Sequence, residues 1–573
     1  MNALLLDLAI IIIYFLIIIG LGLYMGRRED NLSEFALGGR RIPWWAVLAS
    51  IIAAETSAAT FLGAPAEGYR LQNILYVQLT LGTILARFII AFLFIKPYYQ
   101  HGVFTVYEFL EKRFGMASRV AGSLIFLITR LLASGVRVYI GAVVLVIAWK
   151  FLADEPPGLR HYFFAITLLT LATTIYTMLG GIKAVIWTDL IQACIMFGGA
   201  LFSLVLIVKM IPGHWHGILS GTDHFANFKV FASGLTEQAS LKENILGILA
   251  QEYTLFAALL GATFLTMATH GTDQDMVQRM LTSKTYKQSR LSLILSGIMD
   301  VPIALAFVMI GIFLFAYFQE QPDPALPKAT NEIFAYFIVT KIPAGARGLI
   351  IAGVFATAMG SLSAALNALA TSFVKDFYIP FFKKGIHTPL PPSQNPAPLT
   401  KTGVLRFRLH RAILSGRILW TRVKNNEKHD VWAARIFTAV FGVLMIIVAT
   451  LSAYSILHRP NLTIIPIALG IIGYTYGPML GMFLIGMLTK TRGNNLGNIL
   501  GMVCGFLTVF ILSGTCNHVL RFLNLSPLPV PKIAFTWYIL FGSLVTFGVG
   551  VLFKSRPSIQ NLAENSSKET LRA

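Results

Sequence analysis

Apolar runs of about twenty residues recur along nearly the whole chain, separated by short polar stretches, and each is long enough for a helix to cross the hydrocarbon core of a bilayer. Read as helices, they begin near Leu4, Pro43, Asn73, Val120, Tyr162, Val185, Ile248, Leu291, Gly348, Trp432, Ile464, Gly497 and Ile533. The pattern predicts an all-α polytopic membrane protein with about 13 transmembrane helices, an odd count that puts the termini on opposite sides. The first run, Leu4 to Met25, is too long for the apolar part of a signal peptide. It also lacks a basic leader and a small-residue cleavage site, so we read it as a retained helix.

One span departs from the pattern. Ile42 to Tyr69 carries Glu55 about a dozen residues from either end, then Ser57 and Thr60, then Gly63, Pro65 and Gly68. Glycine and proline loosen or break a helix. Broken backbone at membrane depth is tolerated only where it is buried in protein or lines a cavity. An ionisable residue there is costly and marks a functional path more often than a packing kink.

Composition fits this picture. Of 573 residues, 56% are hydrophobic and 13% charged, and the mean hydropathy is +0.70. The formal charge of +20 would suit a nucleic-acid partner, but its distribution argues otherwise. With the N-terminus outside and the C-terminus inside, the inward segments hold 29 Lys and Arg and the outward ones 10. That is the positive-inside asymmetry, and the excess predicts contact with anionic lipid at the basic cytoplasmic loops. The inward loop 379–431 is Pro-rich, then basic, and its RFRLHRAILSGR stretch suits a membrane surface. A short extra helix is expected around Thr330 to Phe337. Cys194, Cys504 and Cys516 lack metal-ligand spacing. Neither an HExxH nor a Walker A string is present, and no nucleophile–base motif stands out, so an enzyme is not expected.

Six strings carry a resemblance: EFALGGRRIPWW, TVYEFLEKRFG, GGIKAVIWTDLIQ, GTDQDMVQRMLTSK, GSLSAALNALATSFVKDFY and GYTYGPMLGMFLIG. In this order, from about residue 34 to 490, they resemble the sodium:solute symporter family, whose members include sodium–sugar, sodium–proline, pantothenate, sialic acid and iodide transporters. The resemblance implies a LeuT-type inverted-repeat fold. Residues 1–30 would be an additional helix, 43–211 the first five-helix repeat, and 248–489 the second, with the basic loop 379–431. Residues 490–573 would supply two further helices and a short cytoplasmic tail. Each repeat would open on an interrupted helix, Glu55 to Pro65 in one and Thr269 to Gln274 in the other, as inverted-repeat transporters do at their binding sites.

The same resemblance implies a site. Na⁺ would be held by the carbonyls of Ala53 and Thr56, freed by the broken helix, and by Thr357, Gly360 and Ser361. Many members carry two adjacent hydroxyl residues at positions 360 and 361, so Gly360 leaves one side-chain oxygen missing. Asp189 would lie on the ion's inward path or join a second ion site. Substrate contacts are expected from Thr60, Gln78, Arg137, Thr266, Asp300 and Tyr474. An intramembrane arginine needs a negative partner. For Arg137 this is a substrate carboxylate or an internal group, Glu55 first and Asp300 second, and Arg87 is read as snorkelling. The implied protein is a sodium-coupled secondary active symporter importing a small organic solute (a sugar, amino acid or carboxylate) across the plasma membrane, a bacterial inner membrane by default. The alternatives are proton coupling on the same fold and a non-transporting membrane sensor.

Overall fold

The computed structural model describes residues 2–26, 31–153, 158–211, 228–383, 401–458 and 464–555. Its long elements are α1 (Asn2–Met25), α2 (Trp44–Glu55), α3 (Ala58–Leu71), α4 (Leu79–Leu93), α5 (Met116–Ala153), α6 (Leu159–Met210), α7 (Thr263–Gly271), α8 (Gln274–Met280), α9 (Tyr286–Glu320), α10 (Ala346–Phe373), α11 (Lys401–His458), α12 (Ile464–Leu488), α13 (Asn495–Leu512) and α14 (Tyr538–Val551). Among the described residues nine helices are long and apolar enough to span a membrane, and ten if α2 and the following helix count as one bent span. The expected 13 segments are reached only by counting α6 twice and adding the shorter α7–α8 and α14.

Helix α6 has a physical reason to count twice. Its 52 residues would extend about 78 Å as one rod, against a hydrocarbon core of about 30 Å. It is broken by a kink at Gly181, whose φ of +48° and ψ of −152° suit a residue without Cβ. The seventh span differs from expectation. Ile248 falls in a separate helix, Leu241–Ala250, capped by Ser240, and the span itself begins with a π-helical turn, Ala257–Ala262. The short helix expected in the outward segment is present as Thr330–Lys341. The basic stretch after residue 400 continues directly into the next span as one 58-residue helix.

Both expected interruptions are real breaks. Helix α2 stops at Glu55, Thr56 and Ser57 leave helical geometry, and α3 restarts at Ala58, the two axes meeting at 58°. Helix α7 stops at Gly271, and α8 starts after Asp273, whose side chain accepts from the Asp275 N–H. α10 runs through the centre, buried along almost its whole length, and it faces the first break. Helix α1 docks on α10 through Asp7, whose Oδ1 accepts from the N–H groups of Gly345 (2.7 Å) and Gly348 (3.0 Å). Asp7 Oδ2 accepts from Arg347 Nε at 2.6 Å. One helix thus supplies the anionic cap for the start of another.

Candidate functional site

The first break frees backbone oxygens in a defined order. Ala53 would ordinarily accept from the N–H of Ser57, but that N–H donates to Glu55 O at 2.9 Å. Thr56 would accept from the N–H of Thr60, which donates to Ser57 O at 2.9 Å. The carbonyls of Ala53 and Thr56 therefore lose their helical donors, in line with the sequence expectation. Across from them, Ser361 Oγ donates to Ala54 O at 3.4 Å, so Ala54 joins the set although sequence reasoning passed over it. Thr357 Oγ1 donates to Val354 O at 2.7 Å, and its own lone pairs remain open to a cation. Thr56, Thr357 and Ser361 are all buried.

Gly360 borders a second group of oxygens. A Cβ at this position would stand 2.9 Å from Gln192 Oε1 and 3.3 Å from Asp189 Oδ1. Both oxygens are buried and accept no hydrogen bond within the described residues. Asp189 Oδ2, by contrast, accepts from Ser50 Oγ at 2.6 Å and Arg279 Nη2 at 3.1 Å. From there buried charges alternate. Arg279 reaches Asp275 Oδ1 at 2.5 Å, Asp275 pairs with Arg130, and Arg130 Nη1 meets Asp273 Oδ2 at 3.1 Å. Tyr476 OH donates to the same Asp273 oxygen at 2.5 Å. The network joins α6, α8, α5 and α12, and apart from Asp189 none of its members was foreseen. The available signal was GTDQDMVQR itself, with two carboxylates and an arginine packed into one apolar environment.

On the substrate side the arginines exchange roles. Glu55 pairs with Arg87, not with Arg137, and Arg87 is fully buried instead of snorkelling. The reason is placement. Arg87 lies on α4 beside the break, where its Nη1 also stands 3.7 Å from Asp300 Oδ2, and His270 Nε2 lies 3.2 Å from Glu55 Oε1. Thr83 Oγ1 reaches Asp300 Oδ2 at 2.9 Å. The carboxylates of Glu55 and Asp300 thus share one buried cation. Arg137 is half-buried on α5, and it has no ion pair or hydrogen bond with any described residue.

The remaining candidates divide. Thr60 Oγ1 sits 3.5 Å from Glu55 O at the break, and Thr266 is buried in α7. Gln78 and Tyr474 are engaged elsewhere. The Gln78 amide brackets the backbone of Ala232, donating to its O (3.1 Å) and accepting from its N–H (3.0 Å), so it holds the outward loop down. Tyr474 OH donates to Ser513 Oγ at 2.9 Å and also meets Thr515 Oγ1, tying α12 to the peripheral α13 corner. The tyrosine that turns inward from this helix is Tyr476.

This geometry agrees with what the chain is similar to. It is 26% identical to the sodium/sialic acid symporter SiaT of Proteus mirabilis over 491 residues, 85% of each chain. It is also 26% identical to the human sodium-coupled monocarboxylate transporter 1 over 488 residues, 84% of this chain and 68% of that one. Its fold matches a solved structure of a Na⁺-coupled sialic acid symporter in a substrate-bound outward-open state, with a TM-score of 0.73 and 23% identity over 96% of this chain and 97% of that one. The fold is accordingly of the LeuT type. The model of the sodium:solute symporter family matches residues 35–390. With that match covering more than half its length, the chain belongs to the sodium:solute symporter family.

Proposed function

We propose that this protein is a sodium-coupled symporter for a solute carrying a carboxylate, and that Arg137 receives that carboxylate. The observation that carries the reading is the contrast among its buried arginines. Arg87, Arg130 and Arg279 each pair with a carboxylate, whereas Arg137 has no partner among the described residues. An unpaired guanidinium at membrane depth is costly, and a bound anion offsets that cost. Sialic acid and monocarboxylates, the solutes in the relatives' names, share the carboxylate.

The coupling ion is assigned to the carbonyls of Ala53, Thr56 and Thr357 with the Ser361 hydroxyl beside Gly360. Na⁺ is a hard cation that accepts neutral oxygens without strong directional demand, and an unwound helix supplies them. Asp189 Oδ1 and Gln192 Oε1 support a second cation position on the inward side of Gly360. There the Gln192 oxygen stands where many members place a hydroxyl at residue 360. Two buried acceptor oxygens without a donor call for a donor or a cation between them. Na⁺ is the first choice, and a proton held on Asp189 is the second reading favoured by the same pair.

In this scheme external Na⁺ steadies the break between α2 and α3. The adjacent pocket near Thr60, Thr266, Asp300 and Arg137 then fills, and the loaded protein rocks inward. Each charge moved inward gains about 2.3 kcal/mol per 100 mV, and the ion and solute raise each other's affinity by the same factor. The rocking units are assigned to the repeats 43–211 and 248–489, flanked by the helix of 1–30 and the two of 490–573. The N-terminus is placed outside and the C-terminus inside, in a plasma membrane, by default a bacterial inner one. The basic segments of loop 379–431 rest against anionic lipid.

Uptake into liposomes tests the whole reading. An inward Na⁺ gradient should drive accumulation of labelled carboxylates but not of their neutral amides, and Arg137→Gln should abolish it while the protein stays folded. Equal uptake of the amides, or full uptake by the variant, would remove Arg137 from the substrate site. Accumulation driven by a proton gradient alone would replace Na⁺ by H⁺.

A further inference from the structure

Gln192 can present either end of its amide to the space beside Gly360, and only one end suits a cation. With Oε1 inward it adds an acceptor beside Asp189 Oδ1. With Nε2 inward it would donate to that carboxylate oxygen and fill the position with N–H groups. The local sequence of α6 does not choose between these orientations.

The choice is made by α1. Tyr14 is buried, and its hydroxyl donates to Met359 Sδ at 3.7 Å. A hydroxyl has one proton, so toward Gln192 it is left as an acceptor, and Gln192 Nε2 donates to it at 3.3 Å. That bond turns Oε1 toward Gly360. The tyrosine is itself held at a fixed height. Above it Asp7 locks α1 onto the start of α10. Below it Gly22 lies against the Tyr176 side chain, and Gly26 against the backbone of Leu179, closer than a Cβ would permit. Beside it Phe15 packs on Phe355 of α10, ring centroids 5.9 Å apart.

We propose that Tyr14 is a positioning residue for cation binding. It fixes the Gln192 amide with its oxygen toward Asp189 and Gly360, and the additional N-terminal helix thereby tunes the ion affinity of a core it flanks. This rests on the reading of Asp189 and Gln192 as a cation position.

Removing the acceptor reverses the amide. In Tyr14→Phe, Nε2 loses its hydroxyl partner, and the amide is released to turn Nε2 toward Asp189 Oδ1, which borders the same position of Gly360. The protein is then its own occupant of the position, and a cation must break that bond to enter. One hydrogen bond of this kind changes the Na⁺ concentration for half-maximal effect by about threefold to tenfold. The solute affinity at saturating Na⁺ stays the same, because Tyr14 lies away from Arg137.

A double-mutant cycle on purified full-length protein separates orientation from packing. The readouts are Na⁺-induced thermal stabilisation and Na⁺-dependent uptake in liposomes. The expected result is a raised Na⁺ requirement in Tyr14→Phe, and no further rise when the same change is made in a Gln192→Leu background, which has no amide to turn. An equal rise in both backgrounds would show that Tyr14 acts through packing alone, and an unchanged Na⁺ requirement in Tyr14→Phe would show that it does not act; either overturns the proposal. Asp189→Asn checks the underlying position separately. If that variant binds Na⁺ with unaltered affinity and stoichiometry, the cation reading fails whatever Tyr14→Phe does. If it weakens binding while the cycle is flat, only the role of Tyr14 fails.

Discussion

Replacing Arg87 by glutamine should unfold this protein more readily than any other single arginine substitution near the substrate pocket. The guanidinium has no exposed surface and lies between two carboxylates, Glu55 in direct contact and Asp300 at 3.7 Å. At an effective dielectric of about 20, the Asp300 interaction alone corresponds to about 4 kcal/mol before desolvation is charged against it. Arg87→Gln leaves Glu55 and Asp300 facing each other, with His270 beside the first and the Thr83 hydroxyl beside the second. Breaking a buried pair in this way costs about 3–5 kcal/mol. Glu55→Gln is milder, because Arg87 keeps Asp300. The double variant Arg87→Gln/Glu55→Gln removes a charge of each sign and should fall short of the summed single effects by about 1–3 kcal/mol. Thermal and denaturant unfolding in detergent, with recovery of monodisperse protein as a second readout, measures all three. Arg137→Gln is the control. It should not lower stability and should remove uptake, since it deletes a cation without a described partner. An Arg87→Gln variant within about 0.5 kcal/mol of the parent, or strict additivity in the double variant, would refute the assignment of Arg87 as the internal counter-ion.

Three further outcomes can be checked. Ser361→Ala should raise the Na⁺ concentration for half-maximal uptake by about threefold to tenfold, and an unchanged Na⁺ dependence would take Ser361 out of the ion site. Asp7→Ala leaves the N–H groups of Gly345 and Gly348 and the Arg347 guanidinium without their shared carboxylate. It should cost about 2–4 kcal/mol in thermal unfolding, and a change near zero would show that α1 is held by packing alone. On the outward surface, the hydrogen bond from Lys341, helped by those from the Ala325 N–H and Tyr336, lowers the Asp323 carboxyl to about 2. An unfolded aspartate titrates near pH 4. The stabilisation is therefore complete above about pH 4 and is lost as the pH falls toward 2. Asp323→Asn should flatten that part of the stability–pH curve, and an unaltered curve would rule the contact out.

Much of the site region is legible in the order of residues along the chain. Gly, Pro and an ionisable group inside an apolar run predict the break after Glu55, and THGTDQ predicts the one at Gly271 to Asp273, because both strings make continuous helix unfavourable locally. The loss of the helical donors at Ala53 and Thr56 follows from the break itself. Partner choice is not legible. Arg87, Arg130 and Arg137 each look like one cation in one apolar helix, and nothing within a few residues tells them apart. The hydrogen bonds of Gln78 to Ala232 and of Tyr474 to Ser513 are illegible for the same reason. Polarity at membrane depth is visible, but not the helix rotation that turns one toward Ala232 and the other toward Ser513.

The sequence by itself determined the spans, their breaks and the charge bias between the two sides. In lipid each helix must satisfy its own backbone, and that requirement is local. Only the tertiary structure decided that Glu55 meets Arg87, that Arg137 has no ion pair with any described residue, and that Gln192 comes to stand beside the vacant side-chain position of Gly360. Those outcomes depend on which helix faces lie within about 3 Å of each other, and side-chain packing across the whole bundle sets that distance.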